Sequence, residues 1–230
     1  QKIWTSNATT CNWMFLLART DPDAPKHRGI SYFVMPMETP GLSIRPIADM
    51  VDGSDLCETF FDNVRIPAAF RIGEENRGWY VAMTTLDFER SGIAGAIALQ
   101  QQIIDLCAML PQFARTDPRR TELANLYLSS EVGRLMLLQV ASLQARGQVP
   151  NYEASMVKLF ASELNQRAAN ATVRLFGLAG TLYGGSHGYE AIDGRFARQY
   201  SRVLPSTIAG GSSEVQRNII ATRGLGLPRG

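Results

Sequence analysis

The hydrophobic pattern of the chain changes its period near Gly73. Before this glycine, short apolar runs alternate with turn segments such as Asp21–Pro25 and Thr39–Gly41. After it, apolar residues recur at the three-and-four spacing of a helix face through long uninterrupted stretches. The change therefore predicts an α+β protein with a β-domain over residues 1–73 and a helical domain over residues 74–230.

The first domain contains short apolar runs that we interpret as strands. They cover residues 1–4, 12–19, 30–35, 42–45, 57–61 and 64–66. The run 12–19 is almost continuously apolar, which is typical of a strand buried on both faces. Short strands with Pro and Gly between them predict a small antiparallel barrel or sandwich. Because the chain begins inside a strand, we expect the domain to be truncated at its N-terminus.

The second domain contains long segments of helical period. They cover residues 76–110, 118–146, 151–176 and 189–201, with a last helix from Ser212 or Ser213 to about Arg223. Ser213 and Gln216 have the spacing of a capping box, which favours a helix start at this point. Three long helices and short final ones predict an antiparallel bundle.

An acidic residue falls on the apolar stripe of the first predicted helix. Ala82, Leu86, Ile93 and Ile97 form the stripe, and Glu89 lies between them. A buried carboxylate must be paired, neutral or chemically active, because burial of a lone charge is costly. Glu89 is therefore a candidate catalytic base, and a structural ion pair with an arginine is the alternative.

Composition excludes several classes of function. The net charge is only +2 and the arginines are scattered, which argues against a nucleic-acid partner. Three widely spaced cysteines and two histidines predict neither a disulfide framework nor a metal site, and they favour a reducing, cytoplasmic location. No apolar run is long enough to span a membrane.

Two short segments could contact a cofactor. Trp4, Thr5 and Ser6 place an indole beside two hydroxyls, which suits a flavin ring, although a strand Trp is more often a core residue. The Gly210–Ser213 turn leads into a helix start, where free N–H groups suit phosphate oxygens. An ordinary capped helix is the alternative, and no dinucleotide-binding fingerprint precedes either segment.

Several motifs occur in the order found in the acyl-CoA dehydrogenase family, which the chain resembles over essentially its whole length. They are Lys2–Ser6, Arg28–Ser31, Thr39–Gly41, Phe61–Pro67, Gly73–Trp79, Leu86–Arg90 and Gly210–Ile220. The resemblance implies a middle β-domain and a C-terminal helical domain, without the N-terminal helical domain of the family. It also implies FAD-dependent α,β-desaturation of an acyl-CoA thioester.

The resemblance assigns the catalytic base to Glu89. Many members carry this glutamate just before the last helix, where this chain has Gly210. Others, similar to isovaleryl-CoA dehydrogenase, carry it on the first helix of the domain before an arginine, which corresponds to Glu89 and Arg90 here. In this scheme the base takes the α-proton of the thioester, and an apolar site raises its proton affinity.

Further roles follow from the resemblance alone. Trp4, Thr5, Ser6, Gly177, Ser212 and Glu214 would contact FAD, Gly177 that of a neighbouring subunit, and Asp87 and Arg90 would lie toward the CoA nucleotide. An electron-transfer flavoprotein would accept the electrons. The family segment R-x-x-F-G has no clean equivalent around residues 111–120, which favours a heteromer or a dimer over the symmetric tetramer. A catalytically silent partner subunit and an oxidase are the alternative functions.

Overall fold

A computed structural model describes residues 1–51, 53, 55–89, 93–108, 112–183 and 194–228. The chain divides into two units, Gln1–Leu86 and Asp87–Gly230. The first unit contains the strands and the start of the first helix, and the second unit contains the remaining helices. The predicted boundary near Gly73 stays a prediction.

The described part of the first unit contains six strands in two antiparallel sheets. The strands are β1 (Lys2–Ser6), β2 (Trp13–Arg19), β3 (Ile30–Pro36), β4 (Leu42–Pro46), β5 (Leu56–Phe61) and β6 (Arg71–Ile72). One sheet has the order β1-β5-β4 and the other the order β2-β3-β6. The predicted antiparallel β-domain is confirmed, and the described strands do not close into a barrel.

Two details of the predicted strands are wrong. Strand β2 is not buried on both faces, since Trp13 and Phe15 are 52% and 59% exposed while Leu16 is buried. Its side chains alternate between two faces, as the period of a strand requires. Among the described residues, Val64–Ile66 pairs with no strand, because it lies between Asn63 in a left-handed conformation (φ 51°) and Pro67, which has no amide to donate. The next strand is instead β6.

Six α-helices are described. They are α1 (Gly78–Glu89), α2 (Ile93–Cys107), α3 (Pro118–Ala145), α4 (Tyr152–Phe176), α5 (Arg195–Arg202) and α6 (Ser213–Ile219), the last followed by a π-turn over Ile220–Gly224. The predicted second and third segments, residues 118–146 and 151–176, thus correspond closely to α3 and α4. The predicted first helix covers both α1 and α2, and residues 90–92 and 109–111 lie outside the described structure. So do residues 184–193, where the short helix before α6 was predicted to begin.

Helices α2, α3 and α4 share one hydrophobic core. Its buried residues include Ile103 from α2, Leu123 from α3 and Leu164 from α4. Ile97, predicted on the apolar stripe, is 55% exposed, because α2 turns Leu99, Ile103 and Leu106 to the core instead. Within the described segments, no helix has the length and hydropathy needed to cross a bilayer.

The start of α1 lies directly against β3. Gly78 is buried, and a Cβ atom at this position would lie 2.2 Å from the backbone nitrogen of Tyr32 and 2.3 Å from the carbonyl carbon of Ser31. The backbone N–H of Asn76 donates to Ser31 Oγ at 2.9 Å. Only glycine allows helix and strand backbones to approach so closely.

Helix α3 carries apolar residues on two opposite faces. One face contributes Leu123, Leu126, Leu137 and Val140 to the interior. The other, here called the outer face of α3, exposes Leu128, Val132, Leu135 and Leu138 to solvent. An amphipathic helix packed against one core needs a single apolar face, so the second face is an exposed apolar patch.

Candidate functional site

The predicted base and its neighbours lie at the end of α1. Glu89 is the last residue of this helix, two turns after the buried Ala82, and Asp87 lies two residues earlier. Within α1, Glu89 follows Ala82 at the i, i+7 spacing of one helix face. The side chains of Asp87 and Glu89, and all of Arg90, lie outside the described structure. Their catalytic and substrate-binding roles stay predictions.

Trp4 sits in a strained bulge of β1. The pairing of β1 with β5 shifts its register between Lys2 and Thr5, and Trp4 has a left-handed backbone with φ 66°. Bulges re-aim side chains, and a positive φ is rare for a bulky residue. The indole is 61% exposed. It is therefore not a core tryptophan and is accessible to a ligand.

The two hydroxyls beside Trp4 differ in surroundings. Thr5 is half-buried, and its Oγ1 lies 3.3 Å from Thr59 Oγ1 within the first unit. Ser6 is exposed at the end of β1. Of the three residues predicted to contact flavin in this segment, Trp4 and Ser6 are accessible to a ligand. The side chain of Thr5 instead contacts Thr59 of the neighbouring strand β5.

Gly177 ends α4 in a left-handed conformation. Its φ is 56°, its N–H donates to the carbonyl of Arg174, and a Cβ atom there would meet no other atom within 4 Å. Gly177 is 19 residues after Lys158, which contacts the turn before α6, so Gly177 and Lys158 lie about 28 Å apart along α4. Gly177 and Ser212 therefore do not meet within one chain.

Ser212, rather than Ser213, caps α6. The backbone N–H of Val215 donates to Ser212 Oγ at 3.4 Å, and Ser212 has extended dihedral angles. The predicted capping box of Ser213 and Gln216 is therefore wrong, because the cap lies one residue earlier and the third helical position is then Val215. Glu214 lies in the first turn, where hydrogen bonds from Ser212 and from its own backbone, with the charges of Arg217 and Lys158, lower the pKa of its carboxyl group.

The turn before α6 is held by two side chains that sequence reasoning missed. Gly210 and Gly211 have φ values of 65° and 96°. The amide Nε2 of Gln216 donates to their carbonyls at 3.0 and 3.2 Å, and Lys158 Nζ donates to Gly211 O at 2.6 Å. Gln216 is completely buried, although its spacing from Ser213 predicted only a capping role. No sequence signal linked Lys158 to this turn.

An open groove of about 800 Å³ lies beside this turn, between α4 and α6. Ser212 and Glu214 line it together with Glu163, Arg167 and Arg217. Arg217 is paired with Glu163 at 2.5 Å. The groove therefore presents both charges and suits a polar ligand with hydroxyl groups better than a purely anionic one. No described group of three or more His, Cys, Asp or Glu side chains could hold a metal ion.

Both parts of the chain match known protein families. Residues 76–225 match the acyl-CoA dehydrogenase C-terminal domain, and residues 1–64 match the acyl-CoA dehydrogenase middle domain.

Curated relatives match the chain over its whole length. Acyl-CoA dehydrogenase FadE34 of Mycobacterium tuberculosis is 36% identical over 229 residues, which cover 100% of this chain and 31% of the relative. Acyl-CoA dehydrogenase IpdE1 of Mycolicibacterium smegmatis is 34% identical over 234 residues, covering 100% of this chain and 57% of the relative. The chain thus spans between about a third and three-fifths of the length of these relatives.

Solved structures share the fold. The Tcur3481-Tcur3483 steroid ACAD is similar with a TM-score of 0.87 and 29% identity, covering 100% of this chain and 60% of that chain. The ChsE4-ChsE5 complex from Mycobacterium tuberculosis is similar with a TM-score of 0.80 and 30% identity, covering 99% of this chain and 60% of that chain.

Proposed function

The chain belongs to the acyl-CoA dehydrogenase family, and we propose that the protein it forms part of is a FAD-dependent dehydrogenase that desaturates an acyl-CoA thioester. The match of both consecutive family domains, in the order the family requires, carries this proposal. An electron-transfer flavoprotein is the electron acceptor that we expect.

The described residues fit a flavin in the first unit. The exposed indole of Trp4, held in a strained bulge, and the exposed Ser6 offer a flat apolar surface beside a hydroxyl donor. In the second unit, Ser212 and the anionic Glu214 suit flavin hydroxyl groups, and Glu214 is unsuited to a phosphate. When bound, FAD supplies the acceptor for the hydride that leaves the substrate's β-carbon.

Glu89 acts as the general base in this proposal. Its carboxylate takes the proton from the α-carbon, so that the α C–H bond breaks as the double bond forms. Gly210 supports this assignment, because it occupies the other position used for the base in the family and has no side chain. Its φ of 65° also favours glycine there, which argues against an acidic residue in this conformation. Arg90 and Asp87 would contact the CoA nucleotide.

The Glu89→Gln variant of the full-length protein tests the base. We expect flavin to remain bound, while substrate-induced bleaching of the flavin slows by about 10²- to 10⁴-fold, because removal of a general base costs that much. Stopped-flow absorbance with a panel of acyl-CoA thioesters measures the rate. Glu122→Gln, which removes a surface carboxylate paired with Arg174, is the matched control and should bleach normally.

Other results of this experiment would change the assignment. Bleaching at the wild-type rate in Glu89→Gln would show that another group takes the proton. A wild-type protein that neither binds flavin nor bleaches would support the alternative of a silent partner subunit. Rapid reoxidation of the reduced flavin by oxygen would support an oxidase.

We further propose that the protein is an oligomer in which the outer face of α3 contacts a second subunit of the same fold. The face exposes Leu128 and Leu135, and Glu131 and Arg134 lie beside them as an ion pair. Two antiparallel copies of this helix would place each acid near the other's base. The wide separation of Gly177 and Ser212 also supports a flavin shared between subunits.

The names of the solved relatives guide the choice of substrate and assembly. One relative is described as a steroid ACAD that joins two chains, and another as a complex of two chains. We therefore propose a steroid acyl-CoA as the first substrate to screen and a heteromer as the first assembly to test. None of the three cysteines, Cys11, Cys57 and Cys107, is in a disulfide bond, which supports a reducing location such as the cytoplasm.

A further inference from the structure

We propose that Gln216 and Lys158 are positioning residues that orient the Gly210–Gly211 turn toward the bound flavin and thioester. The inference rests on the proposed function, because it gives the turn a flavin and a thioester to face. It adds two residues to which the family resemblance assigned no role in the reaction.

The two side chains act on the same pair of carbonyls. Gln216 Nε2 donates to Gly210 O and to Gly211 O, and Lys158 Nζ donates to Gly211 O as well. One donor comes from α6 and the other from α4, so the turn is held from two helices. Both glycines adopt positive φ values, which leaves the turn without a conformational preference of its own. The hydrogen bonds therefore select its conformation.

The orientation of the carbonyls determines the orientation of the amides. In a trans peptide the N–H points away from the C=O of the same peptide unit, and the described chain contains no cis peptide. The carbonyls of Gly210 and Gly211 point to the two side chains. The N–H groups of Gly211 and Ser212 therefore point in the opposite direction, away from the support.

These two N–H groups make no hydrogen bond within the part of the chain that the structure describes. Backbone donors are normally paired with protein or water, and unpaired donors at a fixed position suit an oxygen or ring nitrogen of a ligand. The turn also leads directly to Ser212 and Glu214, the residues that line the groove. The support thus presents two preorganised donors to an acceptor atom of the bound flavin or thioester.

The burial of Gln216 is consistent with this role. It is fully buried, yet its Oε1 has no hydrogen-bond partner among the described residues. The Oγ of Ser213, one turn earlier, also has none there. If Gln216 served only to fill space, an apolar side chain of the same size would avoid the cost of an unpaired buried oxygen. We therefore attribute its role to the two hydrogen bonds that Nε2 donates.

The test compares variants of the full-length protein loaded with FAD. Gln216→Met keeps the volume of the side chain and removes both of its hydrogen bonds to the turn. Lys158→Met removes the third hydrogen bond. We expect kcat/KM to fall at least tenfold in Gln216→Met and at least threefold in Lys158→Met. We also expect the dissociation constant of FAD, measured by fluorescence titration of the apoprotein, to rise, and the potential of the bound flavin to become more negative. Lys158→Arg, which keeps a donating cation, should restore most of the activity.

Thr172→Val is the matched control for lost stability. It removes a buried hydrogen bond from Thr172 Oγ1 to Ala168 O in α4, away from the turn. It should lower the melting temperature without changing the flavin potential or the FAD dissociation constant.

Three outcomes are informative. Unchanged flavin affinity, flavin potential and kcat/KM in a folded Gln216→Met protein would overturn the inference while the wild type remains active. If Gln216→Met does not fold, unchanged flavin affinity, flavin potential and kcat/KM in Lys158→Met would overturn the inference. A wild type without flavin or activity would refute the proposed function instead.

Discussion

Trp4 combines an unfavourable backbone conformation with an exposed ring. Its φ is 66°, a left-handed conformation that costs about 1–2 kcal/mol for an ordinary L-residue relative to the usual region. Burial of the indole offsets little of this cost, because the side chain is largely in solvent. Strained backbone conformations of this kind are found at functional sites, where the surrounding structure holds them in place. The strain therefore supports the proposed flavin contact.

Replacement of Trp4 should separate stability from cofactor affinity. In Trp4→Gly we expect the free energy of unfolding to rise by about 1 kcal/mol, because glycine adopts this conformation without strain. We expect flavin to bind more weakly, because the aromatic surface is lost. Urea unfolding and fluorescence titration with FAD measure the two effects. Trp4→Ala loses the ring but keeps the strain, so it should lose affinity without the gain in stability. Unchanged affinity in both variants would exclude a flavin contact at Trp4.

Candidate site residues could be proposed from the sequence where a local motif marks them. Ser212 was proposed from the turn before a helix start, and Ser6 from its place beside Trp4. The support of the turn was not predictable, because Lys158 and Gly211 are 53 residues apart and meet only through the packing of α4 against α6. Likewise, the sequence showed the spacing of Gln216 but not that its amide turns back to the glycines.

At the scale of elements, the start of α3 is defined by a charged cap. Asp117 Oδ1 accepts a hydrogen bond from the backbone N–H of Arg119 at 2.9 Å, and its Oδ2 accepts from Arg119 Nη2 at 2.6 Å. The side-chain and backbone bonds from Arg119 lower the pKa of Asp117 from its ordinary value of 3.8 to about 2. The folded protein therefore prefers the ionised carboxylate more strongly than the unfolded chain does.

The cap should make stability depend on pH in a defined window. A lowered folded-state pKa stabilises the protein fully above the unfolded value of 3.8, and this contribution is lost as the pH falls toward about 2. Urea unfolding between roughly pH 2 and pH 6 should show a stability difference between wild type and Asp117→Asn. That difference should be constant at the upper end and shrink below about pH 4. A difference independent of pH would contradict the assigned cap.

The elements themselves were largely predictable, and the errors have physical causes. The boundaries of α3 and α4 followed from Pro118 and Gly177, which act locally on the backbone. The exposure of Trp13 and Phe15 did not follow, because an apolar run shows hydrophobicity but not which face has a neighbour. The failure at Val64–Ile66 has a local origin, since the apolar run does not show that Asn63 before it adopts a positive φ.

At the scale of the whole molecule, the outer face of α3 is the surface that we propose for the contact between subunits. Leu128 and Leu135 are 61% and 59% exposed, and each would bury apolar surface in a contact between subunits. Full burial of such a side chain contributes about 1.5–3 kcal/mol, which opposes the entropy that the subunits lose when they associate. Exposed as they are, they contribute little to the fold of a single chain.

The double variant Leu128→Gln/Leu135→Gln should dissociate the oligomer and leave the chain folded. We expect light scattering after size exclusion to give a lower mass, with an unchanged far-ultraviolet circular dichroism spectrum. Leu225→Gln changes a leucine that is 70% exposed outside α3, and it should keep the wild-type mass. An unchanged mass in the double variant would place the contact between subunits on another surface.

The contact of Gly78 with β3 also limits how the sequence can change over time. Every other amino acid adds a carbon atom where the backbone of Ser31 and Tyr32 already lies. Neither a neutral drift through alanine nor a compensating change of a nearby side chain can make room, because the obstacle is main chain common to all residues. In a large mutant library, substitutions of Gly78 should therefore be lost because the protein does not fold, and not through any effect on cofactor, substrate or assembly.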